Sequence, residues 1–168
     1  IKMVSGYADV VVMRNPKEGA AKAASLYSDV PVINAGDGGH MHPTQTTADL
    51  TTITRLRGGG DGLSVGLCGD LKNGRTVHSL IKALAKFKGI KFFLIAPREL
   101  AVPEYMRAFM RENGMWFTEV TGLEAVIPQL DVLYMTRIPR GRFVEPLGLE
   151  RNKGSFFLTR RTVDRGEE

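Results

Sequence analysis

Along this chain, short blocks of apolar residues switch between the period of a strand and the period of a helix. The sharpest switch lies at residues 65–82. Val65 to Cys68 is an apolar run flanked by glycine, which suits a buried strand. From Val77 the apolar positions fall at Val77, Leu80, Ile81, Leu84 and Phe87, the stripe of an amphipathic helix. Between them, Gly69-Asp70-Leu71-Lys72-Asn73-Gly74-Arg75-Thr76 is a turn that throws the chain from strand to helix.

The same pattern organises the rest. Asp9 to Met13 reads as a strand ending at Arg14, and Asn15 and Pro16 read as the N-cap and first residue of a helix through Ala20, Ala23, Ala24 and Leu26. Val30 to Asn34 is a second strand, followed by the small-residue loop Ala35 to His42. Pro43 starts a threonine-rich helix with Leu50, Ile53 and Leu56 on one side; weak by propensity, it needs packing to sustain it. Gly58-Gly59-Gly60-Asp61-Gly62 is the strongest punctuation and marks a domain boundary. After it the pattern predicts strand 63–68, helix 74–88, strand 90–96, helix 103–113, strand 115–120, helix 122–129 and strand 131–136. Ser155 to Leu158 reads as one more strand, and Arg160 to Glu168, highly charged, reads as a fraying end. Such alternation implies α/β architecture with parallel sheets covered by helices, whose ligands bind beyond the carboxyl ends of the strands.

Composition narrows the classes. At 168 residues and 43% hydrophobic, the chain suffices for one large core or two small ones. Its net charge of +5 is spread without a basic run, and no nucleic-acid motif is present, so no nucleic-acid partner is expected. No apolar run is long enough for a membrane span. A lone cysteine, Cys68, allows no internal disulfide and fits a reducing, cytoplasmic setting. No signal pattern opens the chain, and it lacks an initiator methionine, which reads as a fragment.

The candidate chemistry sits after strands. Arg14, Arg75 and Arg137 each follow a predicted strand, as expected for a ligand with several negative charges held by forked guanidinium contacts. Arg75 also stands at a helix N-terminus, where free N–H groups favour an anion. Singly, each arginine also reads as a solvated surface charge. His42 precedes proline and so is held extended, with Gln45 one helical turn on; together they can polarise a carbonyl oxygen and hold an amide. His40 and His78 suggest no role, and His40 with His42 lacks the partners for a metal site. Asp70 and Lys72 read as braces of the turn. Gly69-x4-Gly74-Arg75-Thr76 differs from a nucleotide phosphate loop only by arginine for lysine, a planar group that replaces that lysine poorly.

Five blocks carry a resemblance: Met13-Arg14-Asn15-Pro16-x-Glu18-Gly19-Ala20-Ala21, Asn34-Ala35-Gly36-Asp37-Gly38, His42-Pro43-Thr44-Gln45, Gly69 to Ser79, and Leu133-Tyr134-Met135-Thr136-Arg137. In order and spacing they resemble the catalytic chain of the aspartate carbamoyltransferase family over roughly residues 7–160. The resemblance implies two doubly wound, parallel-sheet α/β subdomains, partial at both ends. Residues 1–57 would be the C-terminal part of a carbamoyl phosphate-binding domain, and residues 58–168 the N-terminal part of an aspartate-binding domain. It implies transfer of the carbamoyl group of carbamoyl phosphate to the amine of L-aspartate, without cofactor, metal or covalent intermediate. Arg14 would contact the phosphate and carbonyl region, His42 the carbonyl oxygen and Gln45 the carbamoyl amide. Arg75, with Thr76, and Arg137 would hold the two carboxylates of aspartate. A homotrimer with shared active sites is implied, and regulatory chains are a further partner seen in the family.

There are departures. The family's serine-threonine-arginine-threonine helix start, its neighbour-supplied serine and lysine loop and its histidine-proline-leucine-proline element are absent, so the piece reads as the middle of the enzyme, inactive alone. Pro139 and Gly141 stand where the family usually has glutamine and glutamate, and Gly39-His40-Met41 replaces a loop with Asn or Ser and Gln. Ornithine carbamoyltransferase, which shares the histidine-proline-glutamine element but not the Gly-Arg-Thr-Val-His-Ser turn, is the alternative enzyme. An inactive, family-derived binding or assembly module is the alternative outside enzymes.

Overall fold

The computed structural model describes residues 1–137; the strand expected at 155–158, the fraying end, Pro139 and Gly141 lie outside the described residues. Two compact units are formed. Ile1–Gly59 joins with Arg75–Ala83 in the first, and Gly60–Gly74 joins with the described chain from Leu84 to Arg137 in the second. Residues 75–83 thus group with the first unit, where a division after residue 57 would give them to the second.

In the first unit, helix α1 (Lys2–Ser5) precedes strand β1 (Val11–Asn15), helix α2 (Ala20–Ser25), strand β2 (Val32–Asp37) and helix α3 (Pro43–Arg57). β1 and β2 pair in parallel, Val11 with Val32 and Met13 with Asn34, and the register slips by one before Asn15 meets Asp37. Arg14 is therefore opposed by both Ala35 and Gly36, a bulge of the kind that re-aims a side chain.

Two expectations are corrected here. Arg14 lies inside β1 rather than beyond it. Asn15 does not cap a helix: its Oδ1 accepts the N–H of Lys17 at 2.8 Å, a local turn, and α2 begins only after Gly19, whose N–H goes to Asp37 Oδ2 at 2.9 Å. Asp37, buried, also accepts the Met41 N–H at 3.0 Å. Burial alone would raise its pKa, but hydrogen bonds from Gly19, Asn34, His40 and Met41 outweigh burial and hold it below 3.8.

α3 starts at Pro43 as the sequence predicts. Its threonines turn their hydroxyls to carbonyls four residues back, Thr46 to His42, Thr51 to Thr47 and Thr54 to Leu50, which frees the outer surface of competing donors. Ile53 is buried, whereas Leu56 is exposed.

The second unit is a four-stranded parallel sheet in the order β5-β4-β3-β6, from strands β3 (Ser64–Cys68), β4 (Lys91–Ile95), β5 (Trp116–Val120) and β6 (Val132–Met135). The central strands are buried along nearly their whole length, the signature of a sheet covered on both faces. Helix α5 (Glu104–Glu112) buries Met106 and Met110. Cys68, Phe93, Ile95, Leu123, Val126 and Ile127 form one core cluster. Burial pushes the Cys68 thiol up to about 12, so it is inert at neutral pH.

Helix α4 (Arg75–Leu84) carries the stripe expected, with Val77, Leu80, Ile81 and Leu84 all fully buried. It stops before Phe87. The helix expected at 122–129 is instead a turn ending in the short 3₁₀ segment Ile127–Gln129, because Pro128 lacks the N–H a continuing helix needs. Among the described residues no helix is long and apolar enough to cross a membrane.

Candidate active site

In the first unit the C-terminal ends of β1 and β2 and the N-terminal ends of α3 and α4 supply the expected residues. His42 is the N-cap of α3, at φ −140° and ψ 70°, outside the helical region that a following proline disfavours but short of the fully extended geometry expected. Its N–H donates to Ser79 Oγ at 3.0 Å, and its carbonyl receives the Thr46 N–H at 3.1 Å. Both backbone groups are thus committed, and the half-buried ring is set by its frame. Nδ1 lies 3.4 Å from Thr44 Oγ1; when that hydroxyl donates, the ring proton sits on Nε2.

Arg75, at the start of α4, donates from Nη1 to the carbonyl of Gly38. Its guanidinium lies along Gly36, where a built Cβ would be 3.5 Å from both Cζ and Nη1. Gly36 has φ +122°, a conformation that side chains rarely adopt, so glycine permits the bulge against which the guanidinium lies. Neither Arg14 nor Arg75 is paired with a carboxylate among the described residues.

The electrostatics bind these residues into one site. Burial first, then the positive charges of Arg75 and of Arg14, hold the His42 imidazole below its ordinary 6.5, and Asp49 pulls weakly the other way. At neutral pH His42 is therefore a neutral ring with one N–H to give, beside two uncompensated cations. A surface so charged, with Arg14 exposed, accepts an anion, and the ring can hydrogen-bond a neighbouring carbonyl oxygen. Gln45, one turn along α3, donates from Nε2 to Asp49 Oδ1 at 2.8 Å. Thr76 is half-buried on the first turn of α4.

The remaining candidates belong to the second unit. β3 leads out to β4 and β5, while β6 returns to the other side of β3, so the strand order reverses between β3 and β6. A crevice at such a switch point is where ligands bind in open α/β sheets. There Thr136 Oγ1 accepts the Asp70 N–H at 2.8 Å, and Thr136 N donates to the Cys68 carbonyl at 2.7 Å. Arg137 follows, exposed. Asp70 accepts the N–H of Asn73 at 3.0 Å, bracing the turn as expected, and Lys72 is exposed. The sequence reading missed Ser79, Asp49 and Thr136. For Ser79 and Thr136 no local signal exists, since their partners are 37 and 66 residues away.

Of the other histidines, His78 is buried on α4, and His40 faces Asp37 at 3.4 Å. No cluster of three or more metal-ligating side chains occurs among the described residues.

Residues 1–55 match the family described as aspartate/ornithine carbamoyltransferase, carbamoyl-P binding domain. Over 165 residues the chain is 54% identical to the aspartate carbamoyltransferase catalytic subunit of Clostridium botulinum (strain Eklund 17B), covering 98% of this chain and 54% of that protein. It is 56% identical to the corresponding subunit of Clostridium perfringens (strain ATCC 13124) over 159 residues, 94% of this chain and 52% of that one. The catalytic subunit of M. jannaschii aspartate transcarbamoylase superposes with a TM-score of 0.91 at 45% identity, covering 97% of this chain and 53% of its own. Aspartate transcarbamoylase from Trypanosoma cruzi, solved with N-(phosphonacetyl)-L-aspartic acid, gives 0.86 at 35% identity, covering 99% of this chain and 54% of its own. The chain spans about half the length of the curated relatives it matches. Over nearly its whole length the chain is thus similar in sequence to aspartate carbamoyltransferase catalytic subunits, and its parallel α/β fold is theirs.

Proposed function

We propose that this chain is part of an aspartate carbamoyltransferase, which transfers the carbamoyl group of carbamoyl phosphate to the amine of L-aspartate, giving N-carbamoyl-L-aspartate and phosphate. The observation that carries the reading is His42, held neutral by burial and by the charges of Arg75 and Arg14, two arginines with no acidic partner among the described residues. Residues 1–57 belong to the carbamoyl phosphate side, which the family match over residues 1–55 supports, and residues 58–168 to the aspartate side.

The chemistry follows from the groups. Arg14 neutralises the phosphate of carbamoyl phosphate. The aspartate amine attacks the carbonyl carbon, a C–N bond forms, and charge grows on the carbonyl oxygen. The His42 Nε2–H, already aimed by its backbone bonds, stabilises that oxygen. The C–O bond to phosphate then breaks with its electron pair on the phosphate, which takes up the proton that the amine loses. Arg75 with Thr76, and Arg137, grip the two carboxylates of aspartate and hold the amine in line. The Trypanosoma cruzi relative's ligand joins a phosphonate to aspartic acid in one molecule, a shape that suits such a paired site. A cytoplasmic homotrimer with sites shared between neighbouring chains is the setting this reading implies.

The test is turnover in the full-length form of the protein. Formation of N-carbamoyl-L-aspartate, with kcat reduced about 100-fold or more by His42→Ala, is expected for a lost oxyanion donor. Carbamoylation of ornithine in place of aspartate overturns the substrate assignment.

A further inference from the structure

Gln45 and Asp49 stand one turn apart on α3, and Gln45 Nε2 donates to Asp49 Oδ1 at 2.8 Å. A carboxylate only accepts, so this contact fixes which way the glutamine amide faces: its NH₂ is taken by Asp49, and Oε1 is left for a donor elsewhere. Without Asp49 the amide is free to turn over. At this spacing an exposed glutamine–aspartate pair serves merely to support a helix. Here, however, Asp49 Oδ2 is buried and has no hydrogen-bond partner among the described residues. A buried orphan oxygen costs stability, and an apolar residue would avoid that cost. The negative charge of Asp49 is also felt at the His42 ring, which places the pair beside the cationic site.

We propose that Asp49 is a positioning residue, which presents Gln45 to the ligand as an acceptor and thereby selects an acyl phosphate whose carbonyl bears N–H₂. The inference rests on the carbamoyltransferase reading and adds to it the origin of amide selectivity. A ligand amide donates to Oε1; a Gln45 turned over would set NH₂ against NH₂, two donors with no acceptor between them. A methyl in place of the amide gains nothing from either orientation.

Calorimetric binding of carbamoyl phosphate and of acetyl phosphate to the full-length protein separates the cases. Asp49→Ala is expected to weaken carbamoyl phosphate about tenfold while leaving acetyl phosphate within about twofold, the asymmetry of a lost polar contact. The double variant Gln45→Ala with Asp49→Ala is expected to bind carbamoyl phosphate no more weakly than Gln45→Ala alone. Asp49→Asn, which keeps an acceptor for Gln45 and stays close in shape, is expected to retain most of the discrimination. Equal weakening of both ligands by Asp49→Ala, loss of discrimination in Asp49→Asn, or full additivity in the double variant overturns the proposal. A wild-type protein that forms no N-carbamoyl-L-aspartate overturns the underlying reading first, and this proposal with it.

Discussion

The N–H of His42 donates to the hydroxyl of Ser79 at 3.0 Å, and Ser79 stands on α4 four residues after Arg75. Residues four apart share one helix face. That face of α4 therefore holds the segment before α3 at two points, Arg75 on the carbonyl of Gly38 and Ser79 on the backbone of His42. The guanidinium and the imidazole take their relative positions from one rigid element.

Removing the second point should loosen the imidazole without touching its chemistry. Ser79 is buried, so Ser79→Ala leaves the His42 N–H without its acceptor, at a cost of about 1–3 kcal/mol. A urea melt should register that loss, and kcat should fall while the KM for aspartate changes little. Unchanged stability and rate would mean that the 3.0 Å contact carries no weight.

Two glycines should differ in what they tolerate. At Gly69, with φ +120°, a Cβ would lie 2.3 Å from Thr136 Oγ1 and 2.6 Å from its carbonyl oxygen, so Gly69→Ala must push β6 away from the end of β3. At Gly36 the added carbon meets the Arg75 guanidinium at an ordinary 3.5 Å, and the penalty is conformational only. Gly69→Ala is expected to cost about 3 kcal/mol or more and Gly36→Ala about 1 kcal/mol. Equal thermal shifts would contradict this ranking.

His42 gives a pH dependence of definite sign. Its pKa in the folded protein is below 6.5, so the unfolded chain binds more protons in the window between the two values. The stability contribution is full above pH 6.5 and is lost as pH falls toward the folded pKa. Activity should fall in the same direction as the imidazole protonates. Arg75→Ala removes the cation that acts more strongly on His42, and an NMR titration of the His42 ring should show its pKa rise. A fall, or no change, would contradict the electrostatic coupling.

Much of this architecture is legible in the residues because local and long-range preferences agree. After Gly62, strands rich in β-branched and aromatic residues alternate with amphipathic helices, and β3, β4, β5, β6, α4 and α5 all occur where the pattern places them. It fails where one local rule meets a distant partner. Asn15-Pro16 has the form of a helix start, but Asp37, 18 residues from Gly19, draws that glycine's N–H and delays α2. Leu123 to Ile127 has helix-like apolar spacing, and Pro128 still ends it as a turn. In the site, Arg14, His42 and Arg75 are readable as residue types that suit an anion, yet the sequence alone says nothing of the bulge opposite Arg14. The Ser79 hydroxyl beneath His42 is likewise a tertiary fact, whereas the Gln45–Asp49 contact, four residues apart on α3, is of the kind that helix spacing predicts.

The central claim is that Arg14, His42, Arg75 and Arg137 serve one doubly anionic ligand pair. Calorimetric titration of the full-length protein with N-(phosphonacetyl)-L-aspartic acid, for wild type and the four single alanine variants, tests it most directly. Each substitution is expected to raise Kd at least about tenfold, since the arginine variants lose charge-assisted contacts and His42→Ala loses the hydrogen bond to the carbonyl oxygen. Any one of the four binding as tightly as wild type would contradict the shared site.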